Sequence, residues 1–312
     1  MSKKQFLLLL LAFLLITLFA LLPALFPAAE TTAGSAAETV AESPAETAAP
    51  AESADDSSAV MELLALNVGK ADCLLLRCGD TAYLIDTGRG KTFSLVEETL
   101  LSEGVTHLDG VILTHTDNDH IGGLKKLLKS DIEVDNIYAS AFYATEEKGD
   151  RHPVEKIAFK MDRDVTFLQG GDALPFPGGT LSVLGPLSEN TEKDDSNSIV
   201  LLAEGAGVRF LLAGDMEFPE EEELLSAGVI PNADLLKVAN HGDSDATSDA
   251  FLAAVRPSVA VISTSTAEKA STPSGRVLRA LRAWNVDVYE TQDADSLLRF
   301  TARDGKITVI VE

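Results

Sequence analysis

The feature that most constrains this chain is an apolar run that ends in metal-ligand chemistry. Val111-Ile112-Leu113 reads as a buried strand, and Thr114-His115-Thr116-Asp117-Asn118-Asp119-His120 follows it at once. Two imidazoles and two carboxylates, His115, Asp117, Asp119 and His120, fall within six positions. Like charges this close favour a cation among them, and a mixed His/Asp set suits zinc, manganese or iron. Alternate residues point in different directions, so four such side chains do not converge comfortably on one ion. A pair of ions with shared ligands satisfies them, and paired metals are a hydrolytic device. The competing reading is a polar loop in which Asp119 caps a helix starting near Ile121. Chance rarely assembles two His and two Asp in that form. Gly122-Gly123 and a helix-like segment, Leu124 to Leu128, come next.

Hydrophobic patterning extends this strand-then-ligand arrangement along the chain. Strands are expected over 61–68, 71–77 and 81–85, then 110–113, 136–139, 165–168 and 180–184. A second run follows over 199–203, 208–212, 234–239 and 259–263, and three last strands lie near 286–289, 296–300 and 306–311. Helices are expected over 93–102, 122–128, 153–163, 217–226, 248–255 and 274–284. The pattern makes two successive halves, each opening on strands and continuing as strand–helix alternation. Two sheets packed face to face with helices outside accommodate it, an α/β fold. Asp215 closes the apolar run 210–214, and His241 closes 235–239, which repeats the placement of the first cluster. His107 and His152 lack that placement and read as ordinary surface or loop residues.

Composition divides the chain. Lys3 and Lys4 precede an almost unbroken apolar stretch from Phe6 to Phe26, the layout of a signal peptide or a retained membrane anchor over 1–27. Either sends the remainder out of the cytoplasm, secreted or anchored. Residues 28–59 are Ala/Glu/Ser/Thr/Pro-rich with seven acids and no Lys or Arg, an expected disordered linker. The whole chain has 49 acids and 25 bases, a net −24. Setting aside the linker's seven acids and the two leading lysines leaves 42 acids and 23 bases, or −19, for residues 60–312. That field repels polyanions, so a nucleic-acid substrate needs bound cations and local Lys or Arg. Cys73 and Cys78 are five apart, which places them on opposite faces of a strand and disfavours a bridge.

Together these segments resemble the metallo-β-lactamase superfamily. They are similar, more narrowly, to the extracytoplasmic hydrolase domain of ComEC-type competence proteins. The likeness rests on Leu66 to Asp72, Leu84 to Gly88, His115 to Gly123, Ser196 to Val200, Ala213-Gly214-Asp215 and Leu236 to Gly242, in family order. It implies a four-layer αββα sandwich with two divalent metals, zinc or manganese. It implies that His115 and Asp117 hold one ion, that Asp119, His120 and His241 hold the other, and that Asp215 bridges. Asp86 would orient the ligand loop from behind. Asn197, Ser198, Lys237, Asn240 and Thr272 are the candidate substrate contacts.

The sequence also departs from the pattern. Much of the superfamily has a further His before the strand leading to the bridging Asp, where this chain has Ser196-Asn197-Ser198. Asn240-His241-Gly242 stands for the usual His-His-Gly, and Ser271-Thr272-Pro273 for the frequent Gly-His-Pro. The expected activity is hydrolysis by a hydroxide shared between metals, held by Asp119, His120 and Asp215. By resemblance the substrate is a phosphodiester in nucleic acid or a nucleotide. Two alternatives stand beside it: a carbonyl-ester hydrolase acting on a lactone, thioester or β-lactam, and a surface binding module that kept the fold without turnover. The N-terminal segment, if uncleaved, makes the membrane a partner; no protein partner is implied.

Overall fold

The alternation of apolar residues assigns each strand one face per neighbour, and the two faces bury into different layers. In the computed structural model, which describes residues 60–144 and 151–312, β1 spans Met61–Leu66. Its Leu63 and Ala65 enter one apolar cluster, while Leu64 and Leu66 enter another. The same division separates Leu74, Leu76 and Cys78 from Cys73 and Leu75 around β2, Leu74–Cys78. The two cysteines therefore occupy different layers and are not joined, as their odd spacing requires. The expected leader or anchor and linker, 1–59, fall outside the described residues. Among the described residues no helix is long and apolar enough to cross a membrane.

The first sheet starts with β1, β2 and β3 (Thr81–Ile85) as antiparallel neighbours. It continues as parallel β4 (His107–Leu113), β5 (Glu133–Ser140) and β6 (Thr166–Leu168). The helices between them are α1 (Phe93–Ser102), α2 (Asn118–Ile121), α3 (Leu124–Leu127) and α4 (Pro153–Phe159). The second sheet repeats this plan. Antiparallel β7 (Ala173–Leu174), β8 (Gly179–Gly185), β9 (Val200–Gly205) and β10 (Val208–Leu212) come first. Parallel β11 (Leu235–Lys237), β12 (Val259–Ile262) and β13 (Asp287–Glu290) follow. Its helices are α5 (Phe218–Ala227), α6 (Asp249–Val255) and α7 (Gly275–Ala283). The chain then returns to the first sheet. β14 (Leu297–Arg303) pairs antiparallel with β1, Met61 opposite Ala302, and β15 (Lys306–Val311) forms the edge beyond it.

Three apolar layers make this an αββα sandwich. The central one packs the facing sheets together through Tyr83, Ile112, Phe210, Val261 and Phe300. One outer layer seats Val96, Leu100, Leu124 and Val154 of the first-sheet helices on the first sheet. The other seats Leu224, Phe251, Leu252 and Val277 on the second. With both faces covered, the central parallel strands β4, β11 and β12 are largely buried, and the carboxyl ends of the parallel strands are left as the edge where polar loops gather.

Candidate metal centre

Every expected ligand lies at that edge, and one buried carboxylate holds both the start of the first ligand loop and the His120 ring. Asp86 follows β3 and is fully buried. Its Oδ1 accepts the Thr114 backbone N–H at 2.8 Å, and its Oδ2 lies 2.7 Å from both Thr114 Oγ1 and His120 Nδ1. The His120 carbonyl accepts from Thr87 N and Oγ1 at 2.7 and 2.8 Å, closing the loop onto the β3 end. Gly123 must approach that end closely: a Cβ there would lie 2.3 Å from the Thr87 carbonyl oxygen. The glycine pair in the sequence is thus what seats the ligand loop. Asp117, not Asp119, takes the N-cap position of α2, with no side-chain capping bond.

Three buried imidazoles present the same nitrogen inward. His120 Nε2 lies 3.2 Å from Asp215 Oδ2 while its Nδ1 faces Asp86. His241 Nδ1 donates to the Ser263 carbonyl at 2.8 Å, and its Nε2 stands 3.1 Å from Asp215 Oδ2 without hydrogen-bond alignment. His115 Nδ1 has Thr114 Oγ1 at 3.2 Å and Ser198 Oγ at 3.4 Å, which leaves Nε2 buried without a hydrogen bond. An imidazole anchored through Nδ1 with Nε2 open is arranged as a metal ligand. Ligand atoms of His115, His120 and Asp215 lie within 4.8 Å of one another, as do those of Asp119, His120 and His241. Asp215 Oδ1 and Asp72 Oδ1 are further buried oxygens without a hydrogen bond. These orphaned atoms fit divalent cations, which would satisfy several at once.

The loop backbone is bent to make this possible. Asp86, Asn240 and His241 all have positive φ, at 58°, 45° and 52°. Non-glycine residues in the left-handed region are uncommon and concentrate where a site over-determines the backbone. Charges are balanced just as closely. Burial alone would lower the His120 pKa, but the Asp215 and Asp86 carboxylates hold it well above the ordinary imidazole range. Burial would raise Asp215, but His241, His120 and Lys237 hold it well below the carboxylate range. His115 is lowered by burial and by His120.

The candidate substrate contacts are placed differently from expectation. Lys237 is completely buried: its ammonium pairs with Asp72, donates to the Gly214 carbonyl at 2.9 Å and lies 3.5 Å from Asp215 Oδ1. It is a counter-ion inside the protein, with no surface to offer a phosphate. Thr272 is also fully buried, its hydroxyl donating to the Lys269 carbonyl at 3.1 Å. Asn197 is spent on the backbone, exchanging bonds with Asn190 N and O at 2.7 and 2.8 Å. Ser198 Oγ accepts the Asp215 N–H at 3.1 Å and so sets the bridging candidate. Asn240 reaches Asp195 Oδ2 and Glu217 Oε1, each at 3.5 Å. His152, expected at the surface, is buried between Tyr143 and Phe167 and caps α4, whereas His107 is exposed and pairs with Asp135 at 3.0 Å.

Sequence reasoning missed two acids that the fold brings to the centre. Asp72 precedes β2 and is ionised: burial opposes this, but Lys237, His241 and His120 hold its pKa down. Asp195 lies with its Oδ1 3.6 Å from His115 Nε2, and its ligand oxygen groups with His115 and Asp117. Burial and the Asp215 and Asp117 charges push it up to about 7. Asp72 stood inside the Leu66–Asp72 segment already singled out. Asp195 had no signal beyond its place beside Ser196. At the rim, Lys70 Nζ and an Arg89 terminal nitrogen contact Asp119 Oδ2 at 3.4 and 3.0 Å.

Comparison with known proteins agrees with this geometry. The family described as Metallo-beta-lactamase superfamily matches residues 66–266. ComE operon protein 3 of Bacillus subtilis is 30% identical over 240 residues, covering 74% of this chain and 30% of its own length. Competence protein ComA of Neisseria gonorrhoeae is 28% identical over 245 residues, covering 77% of this chain and 32% of its own. Recombination protein 2 of Haemophilus influenzae is 29% identical over 240 residues, 75% of this chain and 28% of its own. The chain therefore spans about three tenths of these relatives. Among solved structures, the metallo-beta-lactamase fold protein YhfI from Bacillus subtilis shares the fold. Its TM-score is 0.51 at 15% identity, over 78% of this chain and 99% of that one.

Proposed function

Because the chain belongs to the metallo-β-lactamase superfamily, whose members are metal-dependent hydrolases, we propose that it is an exported hydrolase of phosphodiesters in nucleic acid or nucleotides. The observation that carries the hydrolytic reading is the convergence of His115, His120 and His241 Nε2 around Asp215, with several of these atoms left without hydrogen bonds. Two divalent ions, zinc or manganese by donor type, supply Lewis acidity and a nucleophile at neutral pH when bound. His115 and Asp117 would hold one, Asp119, His120 and His241 the other, with Asp215 shared. Asp86 holds the His120 ring in place and raises its basicity.

An anionic substrate is supported by Lys70 and Arg89, which set two cations beside Asp119 in a chain of net −24. The relatives named for recombination and competence favour nucleic acid among such substrates. The basic start and apolar stretch at 1–27 support a place outside the cytoplasm, secreted or membrane-anchored.

The test uses the full chain in mild detergent, loaded with zinc or manganese. It is assayed on single-stranded DNA, bis-p-nitrophenyl phosphate and a lactone. Diester cleavage that Asp215→Ala and His120→Ala abolish is the expected result. Cleavage of the lactone alone would move the protein to carbonyl-ester chemistry. Tight metal binding with no turnover on any ester would make it a binding module.

A further inference from the structure

Besides the shared Asp215, the first metal position has only His115 and Asp117 among the expected ligands, because the sequence lacks the further imidazole before β9. The fold supplies a replacement. Asp195 sits in the short turn Asp195–Asn197 that leads into β9, with its Oδ1 3.6 Å from His115 Nε2. Ligand atoms of His115, Asp117 and Asp195 all lie within 4.8 Å. His115 is 1% exposed, and its Nε2 is aimed into this group of acids without a hydrogen bond. Two carboxylates beside a buried, open imidazole nitrogen make a donor set that suits a divalent cation.

The turn holding Asp195 is fastened on every side. Its neighbour Asp194 accepts the Thr116 N–H at 2.8 Å and the Ala144 N–H at 2.7 Å, tying the turn to the ligand loop. Asn197 locks it to Asn190, and the Ile199 N–H donates to the Thr114 carbonyl at 2.8 Å. Asn240 stands 3.5 Å from the outer oxygen, Asp195 Oδ2. One carboxylate oxygen thus faces His115 while the other faces an amide. Such support from the surrounding residues is what holds a metal ligand to its geometry.

We propose that Asp195 is a protein ligand of the first metal, in the place of the absent imidazole, with Asn240 as the residue that orients it. The proposal rests on the di-metal reading above. The two positions are then unequal. His115, Asp117, Asp195 and shared Asp215 make an oxygen-rich set suited to manganese, whereas Asp119, His120 and His241 are richer in nitrogen and suit zinc.

The test is equilibrium dialysis of the full chain against manganese and zinc separately, with elemental analysis of bound metal and a circular-dichroism check of folding. Wild type is expected to bind two ions. Asp195→Asn should weaken one of them by at least ~10-fold, more for manganese than for zinc, and leave the other unchanged. Asp195→His, which returns an imidazole, should restore two-ion binding with the preference moved toward zinc. Two unchanged ions in Asp195→Asn would overturn the role of Asp195 while leaving the di-metal reading intact. Loss of both ions from a folded variant would overturn its assignment to one position. A wild type that binds no metal would overturn both readings together.

Discussion

Lys237 shows how much a single residue can owe to partners far away in the chain. Its ammonium is wholly buried and neutralises Asp72 on one side and Asp215 on the other. Removing one member of such a group leaves an uncompensated charge inside the protein. Lys237→Met should lower stability by about 3–5 kcal/mol in urea unfolding of the metal-free chain. Adding Asp72→Asn should recover part of that loss, and a double-mutant cycle measures the coupling. His152 is a second residue with a calculable consequence. Burial, only partly opposed by Asp194, moves its pKa from 6.5 down to about 4. Below pH 6.5 the unfolded chain therefore takes up a proton that the folded chain refuses until about pH 4. Its contribution is complete above pH 6.5 and is lost as pH falls toward 4, by about 3 kcal/mol in all. His152→Asn keeps a capping acceptor without the titration, so its difference from wild type in urea unfolding should change across that window and nowhere else.

The elements work as a pair of strand ends held by one side chain. Asp86 at the end of β3 receives the first peptide N–H beyond β4 and the ring of His120 from α2. Asp86→Asn keeps the shape but loses the charge, and it should weaken metal binding by roughly 10–100-fold in a chelator competition titration. This part of the site was legible beforehand because periodicity locates strands, and Asp86, His115–His120, Asp215 and His241 each follow an apolar run. What periodicity could not reveal is pairing between runs. Lys237 reads like any cation near a strand end until Asp72 is found against it. Thr272 and Asn197 read from the sequence as candidate substrate contacts, yet their polar atoms are consumed by Lys269 and Asn190. Asp195 has no local pattern at all, since its meaning comes only from the approach of the β9 turn to His115. The return of β14 and β15 to the first sheet was equally hidden, because pairing with β1 joins the two ends of the folded region.

At the scale of the whole molecule, the centre exists only when the two halves are docked. His115 to His120 come from the first sheet, and Asp215 and His241 from the second, with the central apolar layer fixing their separation. Metal bound across this seam favours the folded chain by mass action, about 4 kcal/mol per site at a thousand times Kd. Chelation should therefore lower the thermal midpoint, and differential scanning calorimetry with and without EDTA measures the change. The gain should nevertheless fall short of what native affinity alone predicts. His115, Asp117, Asp119 and His120 stay neighbours along the backbone even when every sheet is undone. The denatured chain is thus itself a chelator, competing for the same ions with a four-donor loop that needs no tertiary structure.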